Sequence, residues 1–294
     1  MQYCPNLLRL AQRLVATAAA LALGALGFST ITTNVAFAEF EIQESRAEKG
    51  EVEFEYRGAV HSGIPKGAEE EGGALEEEEE GEGLRQSHDF ELQWSVTNRW
   101  MFSTAILTDQ PLDQSFSVRA VELELQYELI ERKGDGLGLA FLGAYGIATR
   151  DDVADEIEFG PIVELASGKA LLTVNPFFTS QVGDDRETDG LGFEYGWRAQ
   201  YAFTKHWGVG VEMFGEIEDL SHAGSFDDQE HSIGPTLFYN PENGDDDDNG
   251  NDDDDDRKVG GPPKVEFSMN VGVQFGLTDL TSDTALKFQG TLEF

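Results

Sequence analysis

The 294-residue chain is predicted to be all-β, a transmembrane antiparallel up-and-down barrel of about twelve strands, and three observations carry that expectation. Apolar and polar residues alternate strictly through most of it, the alternating segments are even in number, and their connections fall into a short set and a long set that take turns along the chain. Strict alternation is the period of a strand with two unlike faces. An even number of roughly ten-residue strands with short turns at one end and long loops at the other is the pattern of an outer-membrane barrel. Lipid cannot satisfy a backbone hydrogen bond, so a sheet in a membrane has to close on itself.

Taken in order, residues 1–38 read as a cleaved export signal. Arg9 and Arg13 form a basic start without acids, "LVATAAALALGALGF" (Leu14 to Phe28) an apolar run, and Ala36-Phe37-Ala38 a small-x-small cleavage site. The run is shorter than the roughly 20 residues a helix needs to cross a bilayer. Cys4, the single cysteine, leaves with the signal, so residues 39–294 have no disulfide framework, no thiolate metal site and no cysteine nucleophile. "EFEIQ" (Glu39 to Gln43) either extends the first strand or hangs on the periplasmic side.

The strands are expected to begin near Val52, Phe90, Trp100, Val118, Leu137, Ile157, Ala170, Leu191, Trp207, Ser232, Val265 and Thr284. "VELELQYEL" shows the pattern best: Val121, Leu123, Leu125, Tyr127 and Leu129 share one face, and Glu122, Glu124, Gln126 and Glu128 the other. "FEYGWRAQYAF" (Phe193 to Phe203) repeats it. The short turns include Thr97-Asn98-Arg99, Arg132 to Asp135, Ser167-Gly168 and Thr204-Lys205-His206. The long loops include the acidic loop 61–86, Thr108 to Gln114, Gly183 to Asp189 and Asp219 to Gln229. A soluble sandwich alternates in the same way with its faces reversed, but Trp100 and Trp207 each follow a short turn directly ("TNRW", "TKHW"), where an aromatic girdle meets the membrane interface.

The final segment, "ALKFQGTLEF", sets Leu286, Phe288, Gly290, Leu292 and the terminal Phe294 on one face. It resembles the last strand of Gram-negative outer-membrane proteins, which commonly ends in phenylalanine. The resemblance implies that Phe294 is an assembly signal read by the barrel-assembly machinery, and that the protein sits in the cell outer membrane among lipid and lipopolysaccharide.

With the apolar residues against lipid, the polar ones face the lumen. Parity assigns Glu122, Glu124, Glu128, Glu194, Arg198, Glu212, Glu266 and Lys287 to a pore lining, with Glu53, Glu55 and Arg57 beside them. Carboxylates far outnumber bases there, and low-dielectric walls focus a field of one sign, so such a lumen attracts cations. The function expected is a passive channel for small or cationic solutes. The alternative is a non-conducting structural or surface barrel, its inward charges paired across the lumen and its acidic loops collecting divalent cations. No enzyme is expected: Ser87 and His88 point to opposite faces of one strand and cannot act as nucleophile and base. No nucleic-acid patch and no cofactor motif is present.

Two acidic runs remain. "EEEGGALEEEEEGEG" (Glu69 to Gly83) lies in the first long loop, on the extracellular side, where like charges keep a chain solvated. "NGDDDDNGNDDDDDRK" (Asn243 to Lys258) lies in an insertion, 241–263, in what is otherwise a short periplasmic turn. Asp245, Asp247, Asn249, Gly250 and Asp256 fit positions of a calcium loop, though position 12 is Asp and no helix flanks the run. Calcium binding and a solvated acidic turn both stay open here.

Overall fold

The computed structural model describes residues 40–63, 84–111, 115–150, 153–186, 188–240 and 265–294. Twelve strands follow one another: β1 (Val52–Ser62), β2 (Leu84–Ser95), β3 (Trp100–Pro111), β4 (Ser117–Ile130), β5 (Gly136–Ala148), β6 (Asp155–Ser167), β7 (Ala170–Val182), β8 (Gly192–Ala202), β9 (Trp207–Ile217), β10 (Glu230–Tyr239), β11 (Glu266–Gly276) and β12 (Thr284–Glu293). Each pairs antiparallel with its sequence neighbours, and β12 pairs with β1 to close the barrel. The closing register runs from Glu53 opposite Glu293 to Ser62 opposite Thr284, so no strand is left with an open edge.

The outer surface carries the apolar half of the alternation. Phe54, Leu92, Phe102, Ile106, Leu123, Leu125, Phe141, Val209, Leu237, Val271 and Leu286 all stand exposed on it. An apolar outside on a closed antiparallel sheet is the surface of a barrel that spans an outer membrane. At the short-turn end Trp100 packs on Tyr127 and Trp207 on Tyr239, with ring centroids 4.5 and 5.1 Å apart, which begins an aromatic girdle. The two turns beside them are built alike. Thr97 Oγ1 accepts from the N–H groups of Arg99 and Trp100, and Thr204 Oγ1 from those of His206 and Trp207. In the tighter β6–β7 turn Gly168 takes φ +58°, a left-handed conformation that suits glycine.

β2 begins at Leu84, six residues before the expected start. The outward positions Gln86 and His88 are polar, so the strand continues beyond the apolar band where alternation no longer marks it. The connection between β1 and β2 leaves at the long-loop end and that between β10 and β11 at the short-turn end. The runs Glu69 to Gly83 and Asn243 to Lys258 within them, including Asp245, Asp247, Asn249 and Asp256, lie outside the described residues.

One bulge changes the inner wall. Leu107 pairs with Ala120 and Thr108 with Val118, which leaves Arg119 as an extra residue in β4. The side chains of both Arg119 and Ala120 are buried. Simple parity from Val121 points Arg119 at lipid; the bulge turns it inward.

Replacing Leu123, mid-strand in β4, by Arg is expected to cost about 2–4 kcal/mol of folding stability in lipid, and Leu129→Arg near the short-turn end about 0–1 kcal/mol. Urea unfolding in bilayers measures both. An exterior that faced water would show neither cost.

Candidate functional site

The lumen is the candidate site, and its inner wall follows from the pleat. Every second residue of each strand points inward, which buries Glu55 and Arg57 (β1), Glu91 (β2), Glu122, Glu124 and Glu128 (β4), Glu164 (β6), Arg198 (β8), Glu212 (β9) and Lys287 (β12). Glu194 and Glu266 lie on the inner face of β8 and β11, less deeply buried. The wall is not polar throughout. Ala140, Leu142, Ile162 and Phe177 form a buried apolar cluster on the inside of β5, β6 and β7.

Residues 40–49 neither extend β1 nor hang outside the barrel; they run through the lumen as an extended strap. Phe40 lies against His61 and Phe214, at ring-centroid distances of 5.8 and 5.3 Å. Lys49 N–H reaches Asn98 Oδ1 in the β2–β3 turn at 3.1 Å, and Gly50 N–H bonds to the Ser95 carbonyl at 2.8 Å. A buried backbone has to find partners, and strand side chains supply them here. Asn175 brackets Gln43, accepting from its N–H at 2.7 Å and donating to its carbonyl at 3.1 Å. Glu164 accepts from the N–H and hydroxyl of Ser45 at 3.3 and 2.9 Å. Gln126 donates to the Glu44 carbonyl at 3.0 Å. Two inner-wall glycines make the room: a Cβ on Gly138 would stand 2.5 Å from Ser45 Oγ, and one on Gly196 3.0 Å from the Glu41 carbonyl oxygen.

The bases of the lumen are engaged by acids. Arg57 Nη1 lies 2.7 Å from each of Glu41, Glu55 and Glu91, so one guanidinium ties the strap to β1 and β2. Glu124 accepts from Ser103 Oγ at 2.6 Å beside this group. Arg198 holds Glu44 of the strap at 2.5 Å. Lys287 holds Glu212 at 2.5 Å, and Glu212 also accepts from Thr236 Oγ1 at 2.7 Å. Arg132 holds Glu164, and Arg150 holds Asp109.

Toward the long-loop end the balance tips. Glu158 is within the field of Glu122, Glu124, Glu156 and Glu194. Glu216 is within the field of Glu156, Glu194 and Glu230. Glu194, Glu216 and Glu230 stand side by side in register on β8, β9 and β10, and with Glu122, Glu124, Glu156 and Glu158 of β4 and β6 they make an acidic belt. Arg119, brought inside by the bulge, acts on Glu122, Glu156 and Glu194. The sequence reading places Glu122, Glu124 and Glu194 of the belt on the inner face; it misses Glu156, Glu230, Arg119 and the strap. The one local trace of the strap is Gly50 at φ +92°, a reversal just before β1.

A cavity of about 170 Å³ remains at the short-turn end, between the strap (Glu41 to Glu44) and the inner faces of β1, β10, β11 and β12. Elsewhere, Ser87 is buried on the inner face while the His88 ring, on the outer face, bonds to the Tyr56 hydroxyl at 2.7 Å. Asp219, Ser221 and His222 also meet in the β9–β10 loop, but both Ser221 and Asp219 contact the same ring nitrogen, Nδ1 of His222. That is a turn cap and not a proton relay, which needs both ring nitrogens.

Arg57→Met leaves Glu41, Glu55 and Glu91 buried together without their cation and is expected to cost about 3–5 kcal/mol. Asn175→Leu strips both partners from Gln43, about 1–3 kcal/mol for each group left unsatisfied. Hydrogen–deuterium exchange should then speed up in residues 41–49 with the strand amides unchanged. Unchanged exchange in the strap would show that Asn175 does not hold it.

No family model and no curated protein matches the chain. Among solved structures it is similar to the KdgM porin in complex with disordered oligogalacturonate, at 9% identity and a TM-score of 0.45, over 82% of this chain and 98% of that one. The NanC porin matches at 9% identity and 0.46, with the same coverage. The outer membrane protein Omp33 of Acinetobacter baumannii matches at 12% identity and 0.39, over 84% of this chain and 100% of its own. At such identities nothing of those proteins' ligands carries over to this chain.

Proposed function

We propose that the barrel is a narrow, passive outer-membrane channel for small cations, held closed by its own N-terminal strap. The acidic belt carries this reading. Its carboxylates stand in a low-dielectric wall and outnumber the bases that face them, so the field in the lumen concentrates cations and repels anions. A solute entering at the extracellular, long-loop end meets Glu156, Glu158, Glu194 and Glu216 first. It next meets the strap at Arg57, where Glu41, Glu55 and Glu91 already share one guanidinium. On the β5–β7 side the apolar cluster of Leu142, Ile162 and Phe177 offers an ion nothing, which leaves the polar wall of β1, β10, β11 and β12 as the route.

The placement follows from the same reading. The basic, apolar and small-residue pattern of residues 1–38 exports the chain, and Phe294 addresses it to the assembly machinery. The described pore-lining set is Glu122, Glu124, Glu128, Glu194, Arg198, Glu212, Glu266 and Lys287. A second reading, a sealed structural barrel whose acidic runs hold divalent cations, is favoured by the number of side-chain bonds that fix the strap.

Planar-bilayer recording separates the two. A variant lacking residues 40–48, with leader and strands intact, is expected to conduct several-fold more than the full chain. In a salt gradient its reversal potential should move toward the cation's equilibrium value. A deletion variant that folds, as seen by heat-modifiable migration on a gel, yet stays silent supports the sealed barrel; anion preference would overturn the acidic-lumen argument.

A further inference from the structure

A gap in the ladder singles out one seam of the wall. Between β6 and β7, Phe159 pairs with Phe178 and Val163 with Val174, but the three pairs between them are not formed. Continuing the register sets Pro161 directly opposite Pro176, so both N–H donors of that pair are missing. The other edges of the two strands hold: Pro161 pairs with Phe141 of β5, and Pro176 with Tyr195 of β8. The Pro176 carbonyl oxygen lies so close to Gly160 that a Cβ there would collide with it. Proline takes a bond from a central strand's ladder, and lipid supplies no replacement. Two prolines face to face at mid-strand therefore weaken this seam within the hydrocarbon. The β10–β11 seam has a similar gap at Gly234-Pro235, but with one proline and with the polar Thr236 and Gln274 on its inner side.

Behind the β6–β7 gap the inner wall is apolar. Ile162 and Phe177, both from the unformed pairs, belong with Ala140 and Leu142 to one buried cluster. Asn175, opposite Ile162, holds Gln43 of the strap at 2.7 and 3.1 Å. Gly196 pairs with Asn175 from β8, and a Cβ on it would lie 3.3 Å from Cγ1 of Ile42. The strap thus backs the seam from within. The outer side, flanked by Phe159, Val163, Val174 and Phe178, meets lipid.

We propose that the β6–β7 seam is a lateral portal, through which an acyl chain passes from the bilayer to the apolar cluster on the inner wall. Both sides of the gap are hydrocarbon, so the ligand is a single apolar chain and not a polar solute. In this structure the portal is shut, with Ile162 and Phe177 packed in one cluster and the strap behind them. The portal requires a barrel that spans a membrane, and it stands whether or not the lumen conducts.

Photolabelling of the folded full chain in liposomes tests this, with a fatty acid carrying a mid-chain diazirine as the probe and a phospholipid bearing the same chain as a second arm. Mass spectrometry reads which residues are labelled. In the native chain label is expected inside, on Leu142, Ile162 and Phe177, as well as outside, on Phe159 and Phe178. In Pro161→Ala/Pro176→Ala, which returns both donors, inner label should fall several-fold while outer label is unchanged. Inner label from either probe supports the portal, and from the fatty acid alone it assigns a free single-chain ligand. Label confined to the outer residues of the native chain, or inner label equal in both proteins, would overturn it. Should the double variant fail to fold, Val163→Cys/Val174→Cys replaces it. These residues face each other beside the gap, in a chain whose single native cysteine is Cys4. Their disulfide should block inner labelling until it is reduced, and inner label that the disulfide leaves unchanged also overturns the portal.

Discussion

Lipid has no partner to give a backbone N–H or C=O, and the rest of this molecule follows from that. Twelve strands are paired on both sides because an unpaired edge in hydrocarbon would cost several kcal/mol per group. Closure then fixes the two faces: apolar side chains meet the lipid, and every remaining side chain has to be housed inside. The same rule reappears within the lumen. The strap has no neighbouring strand to bond, so Asn175, Glu164 and Gln126 supply its partners one group at a time.

Housing so many carboxylates inside creates a second constraint. Buried charges repay their desolvation only when geometry and further hydrogen bonds are good, and the lumen meets this unevenly. Near the strap, one guanidinium serves three carboxylates, and Lys287 and Thr236 both serve Glu212. At the long-loop half, glutamates from five strands share a field in which Arg119 is the base brought in by a bulge. The region of paired charge and the acid-rich region are thus separate along one axis.

The pleat made much of this legible before any coordinates. Alternation is a local property, written in each strand's own residues, so the strand number, the starts at Val52, Trp100, Ala170, Trp207 and Thr284, and the inward side of Glu122, Glu124, Glu212 and Lys287 could be read directly. Reading failed where the local period was absent or interrupted. The polar outward positions Gln86 and His88 hid the first turns of β2. The bulge in β4 depends on how Leu107 and Thr108 pair with the next strand, and it brings in Arg119, which the reading of the lumen left out.

By itself, then, the sequence determined an all-β, up-and-down, twelve-stranded barrel with an acid-rich inner face, because a period of two and the lengths of the connections survive in a single dimension. Only the tertiary structure decided what fills that barrel. Gln43 meets Asn175 across 132 residues, and Glu44 meets Arg198 across 154. Such partners lie far apart in the chain and share no period. They come together because a closed sheet encloses a space whose buried polar groups must be satisfied, and the ten residues ahead of β1 are placed to enter it.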